Sequence, residues 1–188
     1  MQASEASYVA GFLDGDGSIH FQLVRQKEYK FGYYIRASIS FSQSTSARSG
    51  LEYIQGLIGG GYLRDRGTGM SDLVVTSRPL LKEILEEVKP FCVFKREHVE
   101  RALRLLPKIR PRMEALEFLN VAREVIAYAT LNYSKTKRIS AVDVEQHLRS
   151  KGVLVPVTTS PKRSIGEMGS TAARQIYGPI TRQPLEKG

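Results

Sequence analysis

Two carboxylates stand two residues apart in the string Asp14-Gly15-Asp16-Gly17, directly after the small and apolar run Val9-Ala10-Gly11-Phe12-Leu13. Residues 4–13 read as a helix with Ser4 as its N-cap, and the two glycines end it within the 14–17 string. Negative charge at a helix C-terminus is disfavoured by about 0.3–1 kcal/mol per group. A divalent cation offsets that cost. Mg²⁺ takes a few protein carboxylates together with carbonyls and waters, and carbonyls of a helix end, such as that of Gly15, lack intrahelical donors. The same four residues also suit a tight turn into a strand. An EF-hand calcium loop is excluded, because the twelfth position counted from Asp14 is Arg25 and not Glu. One chain offers too few acids here for a two-metal site, whereas a second copy related by symmetry would supply them.

The elements that position these acids follow from periodicity. From Ser18 the pattern changes to a period of two, with Ile19, Phe21 and Leu23 alternating with His20, Gln22 and Val24. After a charged turn over 25–30, a second strand carries Tyr33, Ile35, Ala37, Ile39 and Phe41 on one face. Tyr34, Arg36, Ser38, Ser40 and Ser42 lie on the other. A helix over 46–58 stops at Gly59-Gly60-Gly61, and a hairpin over 62–76 turns at Gly67-Thr68-Gly69. Pro79 opens a helix over 79–87. Further helices are expected over 95–106, 112–129 and 140–150. The order is αββαββα plus helices, an α+β class. Residues 151–188 hold Pro156, Pro161, Pro179 and Pro184 and show no strong amphipathic period. They read as a basic, loop-rich extension of a 1–150 domain.

Composition narrows the class. The 188 residues are 41% hydrophobic, enough for a core, and their net charge is +9. That balance points to nucleic acid before anionic membranes. No apolar run approaches the length of a membrane span, and no signal-peptide pattern stands at the N-terminus. The single cysteine, Cys92, rules out an intrachain disulfide and a cysteine-cluster metal site, and the chain is expected to work reduced, inside a cell.

Val9-Ala10-Gly11-Phe12-Leu13-Asp14-Gly15-Asp16-Gly17 resembles the LAGLIDADG motif of homing endonucleases. Further matches lie at Gly17-Ser18-Ile19, Tyr29-Lys30-Phe31, Gly61-Tyr62-Leu63-Arg64-Asp65-Arg66-Gly67, Pro90-Phe91 through Lys95, and Leu131-Asn132-Tyr133-Ser134-Lys135-Thr136. Together they resemble the group with one motif per chain over roughly residues 5–150. The resemblance implies the fold of that family, with a curved antiparallel sheet as a DNA-binding saddle, and a homodimer. It implies Asp16 as the catalytic metal ligand from each subunit, aided by the Gly15 carbonyl, and a structural Asp14 satisfying backbone donors. Gln43 matches a water-ordering glutamine and Lys95 an active-site lysine. A further family arginine falls on Ala47 in this register, which leaves Arg48 beside it as the substitute. Small residues on the motif helix let two copies pack across a two-fold axis, and Val9, Ala10, Gly11, Leu13 and Asp14 are the expected interface.

The polar strand face becomes the expected reading surface. His20, Gln22, Val24, Gln26, Glu28, Tyr34, Arg36, Ser38 and Ser40, with Tyr29, share the family's DNA-facing parity. Arg64, Arg66, Asp72 and Val74 do so on the other hairpin. Arg on guanine and Gln on adenine are the expected major-groove contacts. A ten-residue strand at ~3.3 Å per residue spans about ten base pairs, so a dimer covers roughly twenty. Ser134, Lys135, Lys137 and Arg138 are expected at backbone phosphates.

The expectation is a site-specific endonuclease making a Mg²⁺-dependent double-strand break in double-stranded DNA, with Mn²⁺ or Ca²⁺ substituting in binding. Short 3′ overhangs follow from the resemblance, as does intron mobility. No membrane and no small-molecule cofactor is expected. The setting is an organelle such as a chloroplast or mitochondrion, or a prokaryotic cytoplasm. Two rival readings use the same basic scaffold: an RNA-binding maturase and a DNA-binding regulator without cleavage. Asp16 with Gln43 and Lys95 favours the nuclease, since splicing assistance needs none of them.

Overall fold

A computed structural model describes residues 1–132 and 139–154, all within one compact unit, Met1–Val155. The chain opens with α1, Ala3–Asp16. Strand β1, Gly17–Arg25, pairs antiparallel with β2, Tyr33–Ser44, so that Ile19 faces Ile39 and Gln22 faces Arg36. A 3₁₀ turn leads into α2, Arg48–Ile58, followed by the hairpin of β3, Tyr62–Arg66, and β4, Met70–Val75. Then come α3, Arg78–Val88; α4, Arg96–Leu105; α5, Ala115–Ala129; and α6, Ala141–Ser150. The antiparallel sheet has the order β1-β2-β4-β3. This is the α+β order expected from the periodicity.

The alternation in β1 and β2 does what a period of two requires. Ile19, Phe21, Tyr33, Ala37, Ile39 and Phe41 are buried, and with Leu73 and Val75 they join side chains of all six described helices in one core. Removing roughly three dozen such side chains from water is the main driving force for the fold. The even-numbered positions of β1 and β2 turn to the other face, where Gln22 and Arg36 are exposed.

The motif helix is longer than its glycines suggest. It begins at Gln2, whose backbone N–H donates to the Glu5 carboxylate at 2.8 Å, so Gln2 and not Ser4 is the N-cap. It also continues through Gly15 and Asp16. Gly within a helix costs only about 1 kcal/mol relative to Ala, and the packing of Leu13 in the core outweighs that. The exit falls at Gly17, where a Cβ would lie 2.6–2.8 Å from atoms of Leu13. Only glycine lets the chain leave the helix so closely.

The expected extension at 151–188 lies, beyond Leu154, outside the described residues. Among the described residues, no helix is long and apolar enough to cross a membrane.

Candidate nuclease centre and DNA interface

The two motif carboxylates are separated by the helix itself. Two residues along an α-helix is a rotation of about 200°, so Asp14 and Asp16 project to opposite sides of α1. Asp14 turns inward on its own chain. Its carboxylate accepts the backbone N–H groups of Val93 at 2.6 Å, Phe94 at 3.2 Å and Lys95 at 2.8 Å. A negative group on the N-cap Lys95 and the two residues before it anchors the N-terminus of α4 and complements its dipole. Lys95 then reaches back, and its ammonium donates to the Asp14 carbonyl at 2.6 Å. A lysine cation is thereby held at the C-terminal end of α1, where the helix dipole favours it.

Asp16 is exposed and makes no hydrogen bond or ion pair among the described residues. Next to it, the Gly15 carbonyl belongs to the last helical turn, which has no intrahelical donor to meet it. Free carboxylate, helix-end carbonyl and fixed ammonium therefore share one end of α1. Among the described residues no three His, Cys, Asp or Glu side chains gather as a metal cluster.

Gln43 is the penultimate residue of β2, opposite Ser71, and its side-chain oxygen accepts the Ser44 N–H at 2.9 Å. Its amide donors are uncommitted among the described residues. Arg48 behaves differently from a loose substitute at the site. Its guanidinium donates to Glu52 at 3.2 Å and to Asp65 at 2.5 Å, and these two carboxylates raise its pKa. Asp65 is in turn held below the ordinary aspartate range, chiefly by the Ser71 hydroxyl and then by Arg48. Freeing Arg48 for a phosphate would cost both ion pairs.

The expected interface divides in two. Val9, Ala10 and Leu13 are wholly buried in the chain's own core, so their side chains cannot meet a second copy. The face of α1 left exposed carries Ser4, Ser7, Tyr8, Gly11 and Gly15. These recur at three- and four-residue spacing, one stripe of a helix. The correction has a simple cause. Every residue from Tyr8 to Leu13 is small or apolar, so the pattern does not say which side the core takes. Near the end of this stripe, Val93 and Phe94 are 69% and 83% exposed, pinned there by their bonds to Asp14.

On the open face of the sheet, Arg36 donates to the Gln22 side-chain oxygen at 2.5 Å across the β1–β2 ladder. His20 faces Ser38 in the next pair but one, and burial followed by the positive charge of Arg36 lowers its pKa. Ser40 faces Ser18, Val24 faces Tyr34, and Tyr29 stacks on Tyr34 with ring centroids 5.0 Å apart. Gln26 and Glu28 lie in the connecting loop.

The second hairpin departs from expectation at two positions. Asp72 has no exposed surface. Its carboxylate accepts from Arg64 Nε at 3.0 Å, Arg66 Nε at 2.7 Å and the Ser42 hydroxyl at 2.7 Å. Burial alone would raise its pKa, but the bonds from Arg66, Ser42 and Arg64 outweigh it, and the net shift is downward. Asp72 therefore braces two arginines whose side chains remain 56% and 46% exposed, and it offers no edge of its own to a base. Val74 is likewise 7% exposed. Strand parity puts both residues on the face of Ser42 and Ser40, their partners on β2, but carries no information on what covers them. Ser42 completes the brace, and its place on the polar face of β2 is the one sign of this role in the sequence. Ser134, Lys135, Lys137 and Arg138 lie outside the described residues.

Residues 9–95 match the sequence pattern of the family described as LAGLIDADG endonuclease. The DNA endonuclease I-CreI of Chlamydomonas reinhardtii is 33% identical over 144 residues, covering 76% of this chain and 88% of that protein. The DNA endonuclease I-CvuI of Chlorella vulgaris is 30% identical over 149 residues, covering 79% and 92%. The crystal structure of the homing endonuclease I-CvuI in complex with its target, in the presence of Ca, superposes with a TM-score of 0.77 and 29% identity over 81% of this chain and 98% of that one. An archaeal intron-encoded homing endonuclease, I-Vdi141I, complexed with DNA, shares the fold at a TM-score of 0.71 and 14% identity, over 80% and 98%. An acid without a partner among the described residues at the end of the motif helix, a lysine anchored beside it and an open strand face that carries Arg36, Arg64, Arg66 and Gln22 thus coincide with similarity along three quarters of the chain: the protein belongs to the LAGLIDADG homing endonuclease family.

Proposed function

We propose that two copies of this chain form a homodimer that cuts both strands of a long, pseudo-palindromic DNA site in the presence of Mg²⁺, leaving short 3′ overhangs. The observation that carries this reading is Asp16: exposed and without a partner among the described residues, two residues from an aspartate whose carboxylate accepts three backbone N–H groups. A carboxylate left free at an unfavourable helix end needs a positive partner.

The donors at that end fit Mg²⁺. Asp16 and the Gly15 carbonyl are hard oxygen ligands, the type this ion takes alongside substrate phosphates and water. Two oxygens are too few for six-coordination, and the stripe Ser4, Ser7, Gly11 and Gly15 offers the route to more. Its small side chains let a second α1 approach closely, which would bring two Asp16 carboxylates to one centre. When bound, the cation polarises the scissile phosphate and makes a water more acidic.

The chain's own groups do the remainder. Lys95, fixed by the Asp14 carbonyl, holds a positive charge where the cleaved phosphate gains negative charge. Gln43, with its oxygen tied to the Ser44 N–H, presents its amide donors to an attacking water. Arg36, Arg64 and Arg66 supply forks suited to guanine edges. With a strand of nine residues at ~3.3 Å each, β1 reaches about nine base pairs from the centre.

The test is selection. A randomised duplex library is incubated with the full chain and Mg²⁺, and the cut ends are sequenced. The expected product is one long pseudo-palindrome with both strands cut in a stagger. Recovery of asymmetric sites, or of no cut DNA at all, rejects the reading. Equilibrium sedimentation of the free protein checks the dimer independently.

A further inference from the structure

We infer that a basic cavity at the end of β1 remote from Asp16 is a phosphate-binding site, and that its occupant is the DNA backbone running beyond the half-site. The inference rests on the nuclease reading above and extends it to residues outside the reading face.

The cavity, of about 870 Å³, lies between the tip of the β1–β2 hairpin and α6. Three cations line it, Arg25, Lys27 and Lys151, and none of them forms an ion pair among the described residues. One carboxylate, Asp143, also lines it, and this group accepts the Ser140 N–H at 3.0 Å in the capping box that starts α6. Three positive groups against one negative leave a lining charge of +2. An unpaired excess of that size attracts anions and repels metal ions.

The walls are fixed before any ligand arrives. Three backbone hydrogen bonds close the hairpin loop: Gln26 N–H to the Gly32 carbonyl, Tyr29 N–H to the Gln26 carbonyl and Gly32 N–H to the Tyr29 carbonyl. Gly32 has φ +71°, and a Cβ there would collide with His147 Nε2, a buried atom with no hydrogen-bond partner among the described residues. The loop is therefore seated directly on α6. Buried Tyr33 forms the floor, with the Arg25 guanidinium 5.9 Å over its ring and the His147 ring edge-on at 5.1 Å. One guanidinium fork and two ammonium point charges on a rigid frame suit a phosphodiester oxygen pair.

Position identifies the source of the phosphate. Arg25 closes the strand that begins at Gly17, so it lies ~30 Å, or about nine base pairs, from the cleavage end. Arg25 pairs with Tyr33 on the face opposite Gln22 and Arg36, so the backbone would meet it only where a duplex longer than the sequence read by β1 passes the hairpin tip. A free phosphate or nucleotide shares the chemistry, and the experiment separates the two.

Binding of the full chain is measured against salt on two duplexes with the same central site. One ends about nine base pairs from the centre on each side, and the other extends about six further. The wild type should show a steeper salt slope on the longer duplex. Lys151→Gln should remove about 0.9 of that slope per subunit and weaken binding roughly five-fold per lost contact near physiological salt. The variant should bind and cleave the short duplex as the wild type does, which also shows that it folds. Arg25→Gln and Lys27→Gln should behave alike. Equal slopes for wild type and all three variants on the long duplex overturn the inference while leaving the nuclease reading intact. Millimolar inorganic phosphate shifting the His147 ring resonances, with equal slopes on both duplexes, reassigns the site to free phosphate and overturns the DNA assignment. If the wild type binds neither duplex, the nuclease reading fails and takes this inference with it.

Discussion

Replacing Asp72 with Asn separates stability from base discrimination at one buried atom group. The substitution keeps the shape of the side chain and removes the charge that donors from three side chains share. Breaking a fully buried ion pair costs about 3–5 kcal/mol. Arg64 and Arg66 are roughly half exposed, however, and water screens them once released. A loss of about 1–2 kcal/mol is the appropriate scale, or roughly 2–8 °C in Tm for a domain of this size. The larger consequence is for recognition. A guanidinium held in place reads a guanine edge bidentately, worth about 1–3 kcal/mol against the wrong base. Two unbraced arginines should instead favour phosphates, and the removed negative charge should steepen the salt dependence of non-specific binding. Discrimination at the base pairs facing Arg64 and Arg66 is expected to fall about five- to ten-fold in titrations with singly substituted duplexes. The pH dependence has a definite sign. The folded pKa of Asp72 lies below its ordinary value, so its contribution to stability is complete above about pH 4 and is lost as pH falls through the lower folded value. The Asn variant should lack that segment of the acid-denaturation curve. Unchanged discrimination alongside reduced stability would show that Asp72 only supports the hairpin and does not brace its arginines.

Two further outcomes follow from the same geometry. Asp14→Asn removes the charge that gathers three backbone N–H groups at the start of α4, and should cost about 1–3 kcal/mol in urea unfolding. Because Lys95 sits on the same anchor, cleavage should fall further than DNA binding, and equal losses in both would detach Lys95 from the chemistry. Gln22→Leu leaves Arg36 without its cross-strand partner and should relax base preference at a single position, about six base pairs from the centre by strand rise. A uniform loss across the whole site would make Gln22 a general contact instead.

Much of this architecture is written in local pattern. The alternation from Ile19 to Leu23 and from Tyr33 to Phe41 sorts the core from the open polar face because a strand has only two sides. A helix of small and apolar residues has no such marker. Val9, Ala10 and Leu13 could face a partner or a core on sequence grounds, and only the packed chain assigns them inward. The burial of Asp72 was equally hidden, since it depends on two long side chains from the neighbouring strand and a serine from a third. The link from Asp14 to residues 93–95 spans about eighty positions, and no periodicity reports a contact at that range. Resemblance supplied the identities of Asp16, Gln43 and Lys95, while the structure shows what holds Lys95 in place.

The decisive comparison sets Asp16→Asn beside the wild type on the selected site, with binding measured in Ca²⁺ and cleavage in Mg²⁺. Asp16 is exposed and without an intrachain partner among the described residues, so its replacement should leave folding and the open face of the sheet unaltered. The variant is expected to bind within a few-fold of the wild type and to cut neither strand. A variant that still makes the double-strand break at the wild-type rate would show that the free acid at the end of α1 is not the metal ligand, and that the reaction centre lies elsewhere on the molecule.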